Sequence, residues 1–419
     1  MISFSEDPDN EKTLAAKQGS GPSFVEGLHI FVLFNFAVSQ PVFDILSQNP
    51  EFLVAHKTTF ADLLSAIFAP LLLAPLAVVL LQKLLGIFNE ELRRRAHLMM
   101  VFCLLAIIFN PPLKALPDSL NGLRVLSALL IAAAGTVAYF RWKSARTFLT
   151  FLSPSILIFP LIFISNGHTW EVVSQDPTPP DHRQLSAVST QPKSNVPVVM
   201  LVFDELPLVS LLDADGNIDA VRYPHFAALA AESSWYRNAT TVSDSSTFAI
   251  PSLVTGNYPD PRKIPISRHY PDTFFSLFKS SHTVRAFESA TLHCPPELRG
   301  GEFSKEETLT NRLSLFFDTA IIYLRVVLPA KIGKHLPRVN LTWEGFGDPH
   351  EWLLKRWLGE LDSDRLDDLN RFLKATEWDQ QSSSFLFLHL LLPHRPFQFL
   401  PNGKRYEFST KQSQNPHQI

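Results

Sequence analysis

The pattern of hydrophobic and polar positions divides the chain into two unlike parts. Up to about Ser165 the sequence is dominated by long apolar runs, and beyond it the apolar runs are short and alternate with polar segments. A membrane-spanning helix needs about 20 mostly apolar residues. Five stretches approach that length, namely 27–46, 63–85, 98–116, 125–139 and 148–164. We therefore predict an N-terminal α-helical transmembrane bundle of about five spans at 27–165.

Basic residues in the short loops predict the orientation of this bundle. Three arginines, Arg93, Arg94 and Arg95, lie between the second and third stretches, and Arg141, Lys143 and Arg146 lie between the fourth and fifth. Short cytoplasmic loops carry an excess of Lys and Arg. An odd number of spans then places the polar residues 1–26 inside the cell, as a cytoplasmic tail, and everything after Ile164 outside. The spans carry almost no charge of the kind that marks a transport path, so an anchor is favoured over a transporter.

The remainder of the chain is predicted to be a linker and one α/β domain. Residues 166–195 are rich in Pro, Ser, Thr and Gln, which is linker composition. The domain at 196–419 alternates strands with helices, a pattern typical of a parallel sheet. The predicted strands are 196–203, 283–287 and 384–391, the first buried on both faces, and the predicted helices are 224–233, 273–280 and 364–376.

Two of these helical regions carry finer predictions. The helix at 364–376 is expected to begin after a cap at Ser363 and to turn four apolar side chains inward, those of Leu366, Leu369, Phe372 and Leu373. The apolar segment 313–328 contains Asp318 and Arg325. It is too short and too charged for a sixth span, so we expect a helix that lies against the membrane surface or packs on the sheet.

Charge and cysteine content bear on the expected partners and on disulfide bonding. The net charge of −3 gives no indication of nucleic-acid binding, which needs a basic face. The predicted spans make the lipid bilayer the expected partner. Cys103 lies in an apolar run and Cys294 in the soluble part. A disulfide between them is not expected, and Cys294 is a free thiol or pairs with a cysteine of another chain.

Three polar segments follow apolar strands or precede a helix, where ligands bind in open α/β sheets. Asp204 and Glu205 end the first strand, and carboxylates suit divalent metals. A hydroxyl-rich loop containing Ser246 precedes a predicted helix, whose N-terminus favours anions. His389 lies near the end of the last predicted strand, and His394 follows that strand. Each segment alone is more often an ordinary loop than a site.

Together, in this order, the segments resemble the alkaline phosphatase and sulfatase superfamily. The likeness is greatest to its membrane-anchored bacterial members, such as phosphoethanolamine transferases and lipoteichoic acid synthase. It covers roughly 196–256 and 385–406 and rests on Phe203-Asp-Glu, on Ser246 ten residues before the Gly of Leu253-Val-Thr-Gly, and on Leu392-Pro-His-Arg-Pro. The resemblance implies an α/β alkaline-phosphatase-like domain with a mainly parallel sheet, outside the inner membrane of a bacterial cell.

Residue by residue, the resemblance implies a metal-dependent site. Asp204 and Glu205 match metal ligands for Zn, Mn or Ca, and Ser246 matches the nucleophile, with Thr247 as the fallback. His394 matches the histidine that contacts the transferred group, and His389 is a weaker candidate. The implied reaction is phospho-group transfer or hydrolysis on an envelope lipid or polymer.

Two departures from the family pattern keep an alternative open. Ser246-Thr-Phe-Ala-Ile lacks the Pro and Arg that sulfatases need to make formylglycine, so phospho-group chemistry is favoured over sulfate hydrolysis. The family's second metal-ligand pair, Asp-His followed by Gly, has no match after His394. We therefore expect a fragment of a longer protein or an incomplete site that binds metal weakly. The alternative function is a degenerate or truncated sulfatase-like domain that binds or regulates without catalysis.

Overall fold

The computed structural model describes most of the chain. The described residues are 24–115, 121–174, 196–298, 305–333, 335–336, 365–378, 383–394, 399–400 and 403–404. They form two compact units. The first unit contains 24–53, 58–174 and 315–336, and the second contains 54–57, 196–314 and the described residues beyond 365.

The first unit is a helical bundle. Its helices are α1 Phe24–Gln48, α2 Pro50–Ala55, α3 Phe60–Phe88, α4 Glu90–Phe109, α5 Asn121–Arg141, α6 Lys143–Ile164 and α7 Gly167–Val173, with α2 ending just inside the second unit. A short 3-10 helix, Pro112–Ala115, follows α4. Both α1 and α3 contain a π-helical segment, at Asn35–Ser39 and Ala69–Leu73 respectively.

The bundle has the composition of a membrane protein. Within the described residues, α1, α3, α6 and the part of α5 from Gly122 onward are each long and apolar enough to cross a bilayer. Large apolar side chains are exposed along them, including Leu81, Ile87 and Leu161, whereas His29 and Asn35 are fully buried. This distribution suits a lipid environment, where apolar groups face outward and polar groups pair inside.

The fifth predicted span lies in α4, which packs along α3 and α5. Its first turns carry Glu90, Glu91 and the three arginines, and the helix ends at Phe109, immediately before Asn110-Pro-Pro. Because its first turns are polar, α4 is not apolar over a long enough stretch to be included with the four helices named above. The bundle also extends past the predicted boundary at 165, because α7 occupies the start of the predicted linker; residues 175–195 lie outside the described residues.

The segment 313–328 forms the end of α11, Lys305–Val327, and packs on the helical bundle. Tyr323 Oη donates a hydrogen bond of 2.9 Å to the carbonyl oxygen of Ala37, in the π-helical segment of α1. Asn110 Nδ2 donates to the carbonyl oxygen of Val327. Of the two predicted alternatives, packing on the sheet is therefore wrong for residues 315–327. A short helix, α12 Ala330–Gly333, follows.

The second unit is built around a three-stranded parallel sheet. Its strands are β1 Val198–Phe203, β2 Thr283–Glu288 and β3 Ser384–Leu390, in the order β1-β3-β2. Its helices are α8 Pro224–Glu232, α9 Ser246–Thr255, α10 Phe274–Phe278, the first part of α11 and α13 Arg365–Trp378; 3-10 helices occur at Leu208–Leu211, Ser267–His269 and Pro296–Leu298. The parallel α/β arrangement is thus confirmed for the described residues.

The central strand β3 is buried along its whole length. Phe385 and Phe387 face one core, where Phe275 of α10 packs on both rings. Leu386 and Leu388 face the opposite core with Phe372 of α13. Burial on both faces explains why the sequence of β3 is apolar without alternation.

The predicted burial of β1 and the predicted orientation of Leu373 are wrong, and the predicted cap at Ser363 cannot be compared with the structure. β1 was expected to be buried on both faces, but it is an edge strand, and alternate side chains such as Leu201 (48% exposed) face outward. Leu373 was expected to face inward, but it is 49% exposed, because the inward stripe of α13 passes through Phe372 and Ala375. Ser363, the predicted cap, lies outside the described residues.

Candidate active site

The carboxyl ends of β1 and β3 lie side by side and carry the predicted acidic and histidine residues. Val202 of β1 pairs with His389 of β3, and the amide N–H of Asp204 donates to the carbonyl oxygen of Leu390 at 3.0 Å. Side chains two residues apart on a strand share a face. Asp204 therefore lies on the same face as Val202 and His389.

Ser246 meets this carboxylate from the start of α9. Its Oγ donates a hydrogen bond of 2.8 Å to Asp204 Oδ1. The sequence predicts Ser246 in a loop just before a helix, and in the structure it is the first residue of that helix. The helix ends at Thr255 and is followed by Gly256, whose φ of 73° provides the left-handed cap. Asp204 and Ser246 are 42 positions apart in the chain, so their contact is a property of the fold.

The fallback nucleophile, Thr247, is engaged elsewhere. It is buried, and its Oγ1 lies 2.8 Å from Ser245 Oγ. Successive residues of a helix face directions about 100° apart. The serine that faces the carboxylate is therefore Ser246.

Both predicted histidines approach the same carboxylate. Nε2 of His389 lies 3.9 Å from Asp204 Oδ2, and Nε2 of His394 lies 4.0 Å from that oxygen. His394 Nε2 is also 3.6 Å from Glu205 Oε1. Ser246, His389 and His394 therefore lie around the carboxylate of Asp204, and Glu205 lies beside His394.

Glu205 has an unusual backbone conformation. Its φ is 55°, a left-handed value that costs a non-glycine residue roughly 1–2 kcal/mol. The turn points its side chain, which is 37% exposed, toward His394 rather than into the sheet. Strained backbone of this kind clusters at functional sites.

Burial favours the neutral form of the His389 ring. The ring is fully buried, which lowers the pKa of His389, while the carboxylates of Asp204 and Glu288 oppose the shift. Because both ring nitrogens have no hydrogen-bond partner, the imidazole has a lone pair that is not committed to another protein group.

The donor types at this site fit a divalent metal. Asp204 Oδ2 and both His389 nitrogens are buried without a hydrogen-bond partner, and carboxylate, imidazole and hydroxyl groups are ligands for zinc or manganese. In the described part of the chain, however, no group of three or more His, Cys, Asp or Glu side chains has the arrangement of a metal centre. The candidate ligands are close in pairs, at the 3.6–4.0 Å separations given above.

A buried carboxylate beside the site was missed in the sequence. Glu288 at the end of β2 pairs with His389 in the register of β3, and it accepts hydrogen bonds from Thr291 Oγ1 and from the backbone N–H groups of His293 and Cys294. The predicted strand ended one residue earlier, at Phe287. A polar residue at a strand end was the available signal, as it was for Asp204.

The two cysteines, Cys103 and Cys294, form no disulfide. Of these, Cys294 is buried in the core next to the Glu288 turn. This agrees with the prediction that they do not pair with each other.

No protein family, curated protein or solved structure matches the chain.

Proposed function

We propose that the chain is a membrane-anchored, metal-dependent phospho-group transferase or hydrolase with Ser246 as its nucleophile. The hydrogen bond of 2.8 Å from Ser246 Oγ to Asp204 Oδ1 carries this proposal. A serine hydroxyl is a weak nucleophile unless a base or metal activates it. Asp204 provides an acceptor for the proton, and the resemblance to the alkaline phosphatase and sulfatase superfamily supplies the reaction class.

The chemistry requires two in-line displacements at phosphorus. In the first, Ser246 Oγ bonds to the phosphorus as the bond from phosphorus to the departing alcohol breaks; the serine proton passes to Asp204, and the departing oxygen, on the opposite side of the phosphorus, takes its proton from water. In the second, an acceptor alcohol or water bonds to the phosphorus and gives its proton to solvent, while Asp204 returns its proton to the departing Ser246 Oγ and completes transfer or hydrolysis. His394 would donate a hydrogen bond to an oxygen of the transferred group. A divalent ion held by Asp204 and Glu205, of zinc, manganese or calcium, would lower the pKa of the Ser246 hydroxyl and withdraw charge from the phosphoryl oxygens.

We further propose that α1, α3, α4, α5 and α6 provide five spans in the inner membrane of a bacterial cell. The four apolar helices and the packing of α4 along α3 and α5 support this count. The basic residues after α3 and after α5 favour the cytoplasm, which leaves the N-terminus inside and the α/β unit outside. The substrate class that suits this location is an envelope lipid or polymer with a phosphate-linked group.

Matched serine variants test the proposal. The purified full-length chain, supplied with Zn²⁺ or Mn²⁺, is assayed for release of the headgroup from a labelled phospholipid in mixed micelles. Ser246→Ala is expected to reduce turnover to background. Ser252→Ala in the same helix is expected to retain turnover, because Ser252 Oγ donates to the carbonyl oxygen of Phe248 and does not bond to Asp204. Equal turnover in the two variants would reject Ser246 as the nucleophile.

A second candidate function is a sulfatase-like domain that binds or regulates without catalysis. The specific observation in its favour is that, among the described residues, no group of three or more His, Cys, Asp or Glu side chains has the arrangement of a metal centre. In the same assay, this candidate predicts no turnover in the native chain with any of the three metals, together with retained binding of the labelled phospholipid.

A further inference from the structure

A chain of five polar side chains, one from each of five helices, crosses the interior of the helical bundle. At its centre, Tyr139 Oη of α5 lies 3.0 Å from His29 Nδ1 of α1 and 2.9 Å from His97 Nε2 of α4. The outer ring nitrogens also have partners. His29 Nε2 lies 2.9 Å from Thr150 Oγ1 of α6, and His97 Nδ1 lies 3.2 Å from Gln82 Oε1 of α3. His29, His97, Tyr139 and Gln82 are all buried.

The hydrogen-bond partners determine how many protons this chain holds. In the arrangement in which Thr150 Oγ1 donates its hydrogen to the carbonyl oxygen of Arg146, at 3.1 Å, the same oxygen accepts from His29 Nε2. Gln82 Oε1 is an acceptor, so His97 Nδ1 must donate to it. The Tyr139 hydroxyl has one hydrogen for two ring nitrogens, so one of those nitrogens must carry its own. The ring that carries it has two N–H groups and is an imidazolium.

The excess proton has two equivalent positions. If Tyr139 donates to His97, the charged ring is His29, and if Tyr139 donates to His29, the charged ring is His97. Two proton transfers along the hydrogen bonds, one from the charged ring to Tyr139 Oη and one from Tyr139 Oη to the other ring, interconvert the two arrangements. The charge is therefore shared between α1 and α4.

The amide of Gln82 provides the state without the extra proton. Gln82 Nε2 is buried and has no hydrogen-bond partner. With the amide turned by 180°, the Nε2–H group donates to His97 Nδ1. Each hydrogen bond from Gln82 through His97, Tyr139 and His29 to Thr150 then has one donor and one acceptor, and both histidine rings are neutral. The two amide orientations thus correspond to two states that differ by one proton.

Three charged groups act on these rings. Glu26 of α1, Arg93 of α4 and Arg146 of α6 are the charges that face them. Arg93 is itself paired, with Glu26 and with Glu90 at 2.8 and 2.6 Å. Glu26 lies one turn before His29 and Arg93 one turn before His97, so this charged end of the bundle offers the nearest route for a proton. Ionisable side chains inside membrane bundles are costly and mark proton sites.

We propose that His29, Tyr139 and His97 form an intramembrane proton-binding site that holds one exchangeable proton shared by the two rings. Gln82 sets its occupancy through the orientation of its amide. This site lies in the helical bundle and is independent of the reaction proposed for Ser246.

Nitrogen NMR of the full-length chain tests the proposal directly. The protein is labelled with ¹⁵N-histidine in lipid nanodiscs, and His29→Gln and His97→Gln identify the two rings. In the native chain, both rings are expected to shift together as one proton binds. Binding of a second proton is expected at a pH lower by at least about one unit. Tyr139→Phe should separate the two midpoints, and Tyr323→Phe in the same bundle should leave them together.

A second pair of variants applies if Tyr139→Phe fails to fold. Gln82→Glu places a carboxylate against His97 Nδ1 and should keep the pair protonated to a pH higher by at least about one unit than Gln82→Met. Equal titration of the two variants would overturn the role of Gln82. Independent midpoints in the native chain, or no proton uptake by either ring over the tested pH range, would overturn the shared site.

Discussion

Replacement of Glu288 should test how the turn after β2 is held beside the candidate site. The residue is 5% exposed, and three of the hydrogen bonds that its carboxylate accepts are those of 2.9 Å from Thr291 Oγ1 and 2.8 Å from each of the backbone N–H groups of His293 and Cys294; His293 Nδ1 also lies 3.3 Å from Glu288 Oε1. Glu288→Ala leaves all three donors buried without an acceptor. Each such donor costs roughly 1–3 kcal/mol, so the expected loss of unfolding free energy is at least about 3 kcal/mol.

Glu288→Gln should have a smaller effect. One amide oxygen can replace only one carboxylate oxygen, so at least one buried donor loses its acceptor, at a cost of about 1–3 kcal/mol. For a unit of this size each kcal/mol lowers the melting temperature by about 2–4 °C. Glu288→Ala is therefore expected to melt at least about 6 °C below the native chain, with Glu288→Gln between them.

The measurement is thermal unfolding of the full-length chain in micelles, followed by near-UV circular dichroism. Glu297→Gln, an exposed glutamate in the following 3-10 helix, is the matched control and should leave the melting temperature unchanged. If Glu288→Ala melts within about 2 °C of this control, the hydrogen bonds of the turn do not stabilise the unit and the reasoning is refuted.

Three further changes have defined expectations. Phe387→Ala removes a fully buried ring that packs on Phe275 and should cost about 3–5 kcal/mol in denaturant unfolding, whereas a loss below about 1 kcal/mol would place the ring outside the core. Gly256→Ala should cost about 1–2 kcal/mol from its φ of 73° alone, because no heavy atom lies within 4 Å of the added Cβ. The matched change Gly122→Ala also meets no atom within 4 Å but lies in a helix, so an equal loss there would contradict the strain argument. Metal analysis after dialysis should find weak zinc or manganese binding that Asp204→Asn weakens further, and one tightly held ion per chain would contradict the expected incomplete site.

The sequence predicted those parts of the fold that depend on local pattern. The apolar stretches coincide with helices of the bundle, and the three predicted strands occur within two residues of their observed ends. Exposure depends on neighbours that are distant in the chain. β1 and β3 have similarly apolar sequences, but among the described strands β3 alone has a neighbour on both sides, which is why the prediction for β1 was wrong.

Long-range packing also decides the position of α11. Its apolar residues and its charges fit either a membrane-side helix or a helix on the sheet, and no local signal separates them. The hydrogen bond from Tyr323 to Ala37 joins residues 286 positions apart. Such a contact cannot be read from periodicity.

At the candidate site, sequence reasoning succeeded where a polar residue interrupts an apolar pattern. Asp204, His389 and His394 mark strand ends, and Ser246 marks a helix start, so the topology of a parallel sheet brings them to one edge. Glu288 was missed because the strand was ended one residue early. The left-handed turn at Glu205 carries no sequence signal, since glycine or asparagine is the usual residue there.

Capture of the covalent intermediate tests the central claim most directly. The full-length chain is incubated with a ³²P-labelled phospholipid and Mn²⁺, quenched in acid, and digested for peptide mapping. We expect the label on Ser246, its loss in Ser246→Ala, and its retention in Thr247→Ala. Label on Thr247, or turnover that persists in Ser246→Ala, would contradict the account.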